Sequence, residues 1–375
     1  FVLGLCGESL AIFNPFDTRK HNNANIGIFG PSGSGKTYLN LTLARRFRLS
    51  DIGVLMILPI KGHEYKEALD ALNGVFINLS PGSEVCLNIM EIRAEAEIDA
   101  AILSEAEVTA RSKLQNQISQ VITFIQLLLG DEKMTSTQES ELETIIAALY
   151  YDFGISHDNM SLYDDNGKIK KMPIIEDLYN RCLDNPRLQS VVAVLNPFVI
   201  STGTCRNMNG QTNIDLSNKV IAFDVSYCSD RYLPAFMYTA IVFCYSKIKE
   251  NVYDKYELFL DEGWKFIFIE IAEKFVNELI KILRGYAGGV VYSTQNLTDA
   301  TKGRFGASII DNCACKFLLK VGENEYELFQ KLFRLTDQEA KKIASQQKGH
   351  ITLLTNREEF PIVTKTSRTE HMLYT

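Results

Sequence analysis

The chain has 375 residues, 46% hydrophobic and 23% charged, which excludes wholesale disorder and any low-complexity or collagen-like architecture. Its 39 Lys and Arg against 46 Asp and Glu leave a net charge of −7, so it does not coat nucleic acid by bulk charge. No stretch reaches the roughly 18 apolar residues of a membrane span. Eight cysteines (Cys6, Cys86, Cys182, Cys205, Cys228, Cys244, Cys313 and Cys315) show no C-x-x-C spacing and no clustering with the five histidines. That pattern argues against zinc and for buried, reduced thiols in a cytosolic protein.

Residues 1–25 read as short strands and turns, broken at Asn14-Pro15 and His21-Asn22-Asn23. An apolar strand over 26–29 runs into Gly30-Pro31-Ser32-Gly33-Ser34-Gly35-Lys36-Thr37 and then a helix to about Phe47. Strands over 54–58 and 75–79 are apolar and turn-bounded, as in strands buried on both faces of a parallel sheet. From 97 to 129 the chain has no Pro or Gly and reads as helix. Ser136 with Glu139 reads as a capping box for a helix over 142–151. Asp164-Asp165-Asn166-Gly167 is a turn without calcium-loop spacing, and Pro173 opens a helix over 174–183.

Strand signals return over 220–225, 258–260, 290–293, 316–321 and 351–355, with helices over 232–248 and 270–284 between them. The alternation predicts an α/β chain with a mostly parallel sheet flanked by helices, plus an all-α insertion. The implied division is 1–96 for the first part of the sheet domain, 97–204 for the insertion and 205–375 for its second part.

Gly30 to Thr37 matches G-x-x-x-x-G-K-[ST] between a strand and a helix, the setting of a phosphate-binding loop. Glycines at 30, 33 and 35 permit backbone angles and close approach that a Cβ would block. The loop from Gly30 through Pro31, Ser32 and Ser34 and the helix start as far as Tyr38 then face phosphate oxygens, with every backbone N–H but that of Pro31 available to donate. Lys36 neutralises the β- and γ-phosphates of ATP, and the Thr37 hydroxyl ligates Mg²⁺. Hydrolysis also needs a carboxylate at the metal and a group that aligns water. Tyr256 to Leu260 is an apolar strand ending in Asp261-Glu262; Asp261 would hold the metal shell and Glu262 would polarise the attacking water.

Val291-Tyr292-Ser293-Thr294-Gln295 is a further strand end, from which Gln295 could contact the γ-phosphate or the water. Arg284 and Arg304 are candidate arginine fingers, with surface salt bridges as the alternative. Glu323, Glu325 and Glu327 read as a solvated helix face. Trp264, Phe266, Phe268 and Phe275 read as core or interface.

Together these residues resemble the conjugative type IV secretion ATPases, the TraC-type, VirB-four-like motors of the HerA/FtsK superfamily. The resemblance covers most of the chain. It is carried by Gly30 to Thr37, Glu64-Tyr65, Asn88, Asp261-Glu262-Gly263-Trp264 and Ser293-Thr294-Gln295. It implies a RecA-like C-terminal motor domain that forms a ring, hexameric in assembly and monomeric when isolated. It also implies a cytoplasmic place at the inner face of the bacterial cytoplasmic membrane, among inner-membrane secretion-channel proteins. A coupling protein or a relaxase–DNA substrate is a further implied partner, and direct DNA binding stays open. The N-terminal partner domain of that family would be missing from a chain that starts at Phe1. The chain departs from the family at Leu58-Pro59-Ile60-Lys61, where an acid often follows the second strand, and at Asn296, where the DNA-pump branch carries Arg.

The leading expectation is an ATP hydrolase that energises a conjugation-type secretion channel, its assembly, pilus biogenesis or substrate transfer. Two alternatives stand beside it: a HerA/FtsK-like translocase or helicase acting on DNA, and a nucleotide-gated scaffold with little turnover.

Overall fold

The computed structural model describes residues 1–93, 112–250, 254–266, 270–295, 297–302, 306–322, 325–355 and 358–374. The chain forms two compact units. One holds Phe1–Ile77, Ser217–Ser226 and Asn251–Thr375; the other holds Asn78–Leu216 and Tyr227–Glu250.

The first unit is built on an 11-stranded sheet. In chain order its strands are β1 (Val2–Cys6), β2 (Ser9–Ile12), β3 (Ile26–Phe29), β4 (Gly53–Leu58), β5 (Val75–Asn78), β6 (Val220–Asp224), β7 (Tyr256–Leu260), β8 (Gly288–Thr294), β9 (Cys315–Leu318), β10 (His350–Thr355) and β11 (Glu359–Thr364). The spatial order is β2-β1-β11-β10-β9-β3-β8-β7-β4-β6-β5. Pairs from β9 through β3, β8, β7 and β4 to β6 are parallel. The extension through β10, β11, β1 and β2 is antiparallel.

Strand β4 (Gly-Val-Leu-Met-Ile-Leu) is buried at every position, as its unbroken apolar run demands. Strand β5 differs from the expectation: it is an edge strand, and Val75 and Phe76 stay half-exposed. Helix α1 (Lys36–Leu49) follows β3 and packs Leu39, Leu43 and Phe47 into a core with Met56, Phe259 and Phe317. Truncating a fully buried Phe such as Phe47 costs about 3–5 kcal/mol, so this core firmly anchors the helix whose first turn carries Lys36. Helix α2 (His63–Asp70) buries Tyr65, Ala68 and Leu69, the i, i+3, i+4 stripe of one helix face.

Strand β11 is absent from the strands expected from the sequence, and it carries Pro361, a residue unusual in a strand interior. The structure tolerates it because the pairing of β11 with β1 involves Thr364 and Val363, while Pro361 faces Thr352 of β10. Several helices escaped the sequence reading, among them His63–Asp70, Gly306–Asp311, Asp337–Ala344, with a Thr336–Glu339 capping box, and the C-terminal Arg368–Tyr374.

The second unit contains the helices Lys113–Leu129, Ser136–Asp152, Ile175–Cys182, Gln189–Val199 and Leu233–Glu250. The first covers the described part of the helix expected over 97–129; residues 94–111 lie outside the described residues. The capping box of the second begins one residue earlier than expected. Thr135 accepts from the Gln138 amide, and the Gln138 side chain accepts from the Thr135 amide. The Asp164–Gly167 turn is a hairpin tip, with Tyr163 bridged to Ile169 and Asp164 Oδ1 accepting from the Asn166 and Lys168 amides. Among the described residues no helix is long and apolar enough to cross a membrane.

Candidate active site

The phosphate loop leaves the C-terminal end of β3, the strand held between β8 and β9. Gly33 (φ 75°) and Gly35 (φ 103°) take left-handed backbone angles, and Gly35 caps α1. A Cβ on Gly30 would lie 2.8 Å from the Leu319 Cβ and 2.9 Å from the Ser34 Oγ. Helix α1 has no side-chain cap and no acid in its first turn, so the positive end of its dipole is left for an external anion. The Ser34 hydroxyl is buried and has no hydrogen-bond partner among the described residues. An uncapped helix end beside an orphaned hydroxyl suits a phosphate group.

Lys36 is 7% exposed. Its ammonium donates to the Gly30 carbonyl at 3.1 Å and lies 3.4 Å from Glu262 Oε1. Desolvation holds its pKa below the usual lysine range, against the pull of Glu262 and Asp261. Asp261 and Glu262 arrive from the end of β7, two strands away from β3 across β8.

Asp261 is buried under three protein donors. Ser293 Oγ (2.7 Å) and Asn40 Nδ2 (3.2 Å) reach Oδ1, and the Tyr65 hydroxyl (3.0 Å) reaches Oδ2. Burial raises its pKa to about 6, with the Ser293 hydrogen bond pulling the other way and the Glu262 charge adding to the rise. Glu262 sits at φ 47°, ψ 46°, a left-handed conformation uncommon for a residue with a Cβ. There its Oε2 accepts from Trp264 Nε1 at 2.8 Å and from the Gln295 amide at 3.0 Å. Gly263 completes the turn, because a Cβ there would lie 2.4 Å from the Tyr292 ring. Strained backbone held by surrounding contacts is a mark of functional sites.

These groups face one cleft of about 640 Å³. Among the residues singled out from the sequence, Ser32, Gly33, Gly35, Lys36, Thr37, Tyr38, Asp261, Glu262 and Gln295 all line it. Gly30, Pro31 and Ser34 form the loop behind that lining. Arg284 is elsewhere: it is exposed, in the 3-10 turn Leu283–Tyr286, and does not line the cleft. Arg304, Asn296, Phe268 and Glu323 lie outside the described residues. Glu325 corrects the reading of a solvated acidic face, since its Oε1 accepts from the Leu297 amide at 3.1 Å. Trp264 is likewise more than core, because its indole orients Glu262.

Sequence reasoning missed Asn40 and assigned no task to Tyr65 or Ser293, all three of which meet at Asp261. It also missed the far wall of the cleft, Met372, Leu373 and Tyr374 of the C-terminal helix. Tyr38 ties that wall to α1: its hydroxyl bonds Thr366 and His371 Nδ1 (3.3 Å), and its ring meets Tyr374 edge-on at 5.2 Å. A signal was present, because Ser367 and Glu370 form a reciprocal capping box.

The family profile described as the TraG P-loop domain matches residues 10–371. Among solved structures, VirB4 of Thermoanaerobacter pseudethanolicus is similar over 99% of this chain and 97% of that one, at 23% identity and a TM-score of 0.83. The bacterial conjugative coupling protein TrwBdeltaN70 is similar over 92% of this chain and 85% of that one, at 10% identity and a TM-score of 0.58. The plasmid coupling protein TrwB in complex with ADP and Mg²⁺ gives 92%, 86%, 11% and 0.56 for the same quantities. At these identities the likeness is one of fold, and the fold is the expected α/β P-loop NTPase. No curated protein matches the sequence.

Proposed function

The chain belongs to the TraG P-loop domain family, and from that premise we propose that it is the ATP-hydrolysing motor domain of a conjugative type IV secretion apparatus. The observation that carries this reading is the meeting of Lys36, Asp261 and Glu262, from strand ends more than two hundred residues apart, beside an uncapped helix terminus. A helix end that only bound an anion would have no use for a buried carboxylate held 3.4 Å from the loop lysine.

In this reading the loop amides and the start of α1 bind the phosphates, Lys36 neutralises them, and Tyr38 borders the rest of the nucleotide. Thr37 and Asp261 hold Mg²⁺, which supplies charge neutralisation at the phosphates when bound. Glu262 takes the proton of the attacking water, and its contact with the Gln295 amide couples the γ-phosphate position to the end of β8. Arg284, exposed and outside the cleft lining, acts from a neighbouring copy in a ring, and Arg304 is the second candidate for that task. The insertion expected over 97–204 falls within the second compact unit, Asn78–Leu216 with Tyr227–Glu250, and the motor proper is the first unit. The assembly sits peripherally at the inner face of the cytoplasmic membrane against the proteins of the channel.

Steady-state phosphate release from the wild type, Lys36→Ala and Glu262→Gln tests the reading, with and without DNA. Lys36→Ala should abolish turnover, and Glu262→Gln should retain nucleotide without cleaving it. Wild-type rates in either variant defeat the assignment, and strong stimulation by DNA would move the protein to the translocases.

A further inference from the structure

The chain that leaves β8 is held at two backbone amides by two acids. Glu262 Oε2 accepts from the Gln295 amide at 3.0 Å, and Glu325 Oε1 accepts from the Leu297 amide at 3.1 Å. The acids come from different parts of the sequence. Glu262 follows β7, and Glu325 caps the helix Tyr326–Phe333, which comes after β9. In the sheet, β9 and β7 flank the adjacent strands β3 and β8.

Leu297 begins the helix Leu297–Lys302, and the first amides of a helix have no acceptor within it. Glu325 supplies one, and a carboxylate there suits the positive end of the helix. Leu297 is buried, so losing that acceptor would leave an N–H unpaired away from water. Glu325 is itself fixed. Its amide donates to the Gly322 carbonyl at 3.2 Å. Its helix is anchored by Phe333, whose ring meets Phe329 at 4.8 Å and Phe29 at 5.0 Å. Phe29 is the last residue of β3, directly before Gly30. One apolar contact therefore ties Glu325 to the strand that carries the phosphate loop. Glu262 has its own support in the Trp264 indole at 2.8 Å. The helix Leu297–Lys302 packs against both, the turn Gly263–Lys265 and the helix Tyr326–Phe333.

Between these anchors the Gln295 side chain lines the cleft, whereas Glu325 is not among the lining residues. The bond to Glu262 fixes the Gln295 amide but leaves the backbone beyond it free to turn. The bond to Glu325, two residues on, removes that freedom. A side chain whose backbone is fixed on both sides has less entropy to lose on meeting a ligand.

We propose that Glu325 is a positioning residue for Gln295: it holds the Leu297 amide so that the Gln295 carboxamide is aimed at the terminal phosphate of the bound nucleotide. This rests on the nucleotide reading above, with the γ-phosphate beside the end of β8.

The test is competition against mant-ADP, in Mg²⁺, by ADP and by the non-hydrolysable triphosphate analogue ADPNP, a readout independent of turnover. A hydrogen bond to a charged group is worth about tenfold in affinity, so Gln295→Ala should lose about tenfold of the preference for ADPNP over ADP. Glu325→Ala should lose a similar share and leave ADP affinity unchanged, which a general loosening of the fold would not do. Glu325→Gln keeps an oxygen for the Leu297 amide and should keep the preference. In a Gln295→Ala background, Glu325→Ala should have no further effect, because the side chain it aims is gone. An undiminished preference in Glu325→Ala, an equal fall in ADP and ADPNP affinity, additive losses with Gln295→Ala, or a loss in Glu325→Gln as large as in Glu325→Ala overturns the role of Glu325. An undiminished preference in Gln295→Ala overturns the underlying placement of the γ-phosphate instead.

Discussion

The Glu262 carboxylate lies 3.4 Å from the Lys36 ammonium, with the two side chains 8% and 7% exposed. The proposed base and the proposed phosphate cation thus neutralise each other across the cleft. Lys36 also donates to Gly30, so it is held at both ends of its reach. Nucleotide entry must draw Lys36 toward phosphate and leave Glu262 to its indole and amide donors.

Glu262→Gln separates these two tasks. It keeps the side-chain shape and an oxygen for the Trp264 indole, and it releases Lys36 from a buried opposite charge. Hydrolysis should fall by about 10²- to 10⁴-fold, the range of a lost general base. Nucleotide affinity should rise or hold. Single-turnover cleavage and mant-ATP titration on the same preparation check both, and a variant that binds less tightly than wild type contradicts the release of Lys36.

Asp261 predicts a pH dependence. Its pKa of about 6 in the fold lies above the ordinary 3.8, so the folded protein holds a proton that the unfolded chain gives up. Stability should therefore fall as pH rises from about 4 to about 6 and then level off, a change of roughly 3 kcal/mol for this group. The metal-binding form is the ionised one, so kcat/KM should rise through the same window. Ser293→Ala removes the hydrogen bond that lowers this pKa, and its acid limb should move to higher pH. An unmoved limb would assign that titration to another group.

Glu257 is fully buried on β7, and neither carboxyl oxygen has a hydrogen-bond partner among the described residues. Its neighbour across the pair is Gly289, whose missing Cβ leaves the room that the carboxyl fills at 2.7 Å. Burial pushes its pKa well above the carboxylate range, so it folds in the neutral form. Glu257→Met should stabilise the protein by about 1–4 kcal/mol at pH 8. The gain should shrink as pH falls toward 4, where the unfolded chain also takes up the proton. Urea unfolding at the two pH values measures the difference, and a variant less stable at both would mean that the carboxyl has a task in the fold.

Glu370 is 2% exposed and gathers the C-terminal helix onto α1. It takes Arg46 at 2.7 Å, Arg45 at 3.5 Å and the Ser367 amide at 2.7 Å. Glu370→Ala should cost about 1–3 kcal/mol, because it leaves the partly buried Arg46 without its acceptor. Proteolysis between residues 365 and 368 should accelerate with it. Unchanged cleavage would show that Tyr38 and its partners Thr366, His371 and Tyr374 hold the helix alone.

Much of this site was legible because its chemistry lies at strand ends. The glycine spacing from 30 to 35, the lysine after it and the acids after an apolar run each announce themselves locally. Part of the parallel half of the sheet was legible for the same reason, since a buried strand such as β4 is an unbroken apolar run. What stayed hidden depends on neighbours distant in sequence. Pro361 sits within β11, and only the pairing shows that its missing N–H is tolerated. Tyr65 and Asn40 look like ordinary helix residues until α1, α2 and β7 meet. Short polar runs such as 368–374 carry too little periodicity to stand out, and only the Ser367–Glu370 spacing marks that helix.

The place of β3 has a consequence for biogenesis. Its two partners, β8 and β9, pair with Ile26 through Val291 and Cys315, so they leave the ribosome 265 and 289 residues after it. The glycine-rich turn is translated early, but it has no walls until nearly the whole polypeptide has emerged. Closing so long a loop is slow, and the nascent β3 stays an unpaired apolar edge meanwhile. Premature termination anywhere before about residue 315 therefore yields no nucleotide-competent fragment, only a chaperone client.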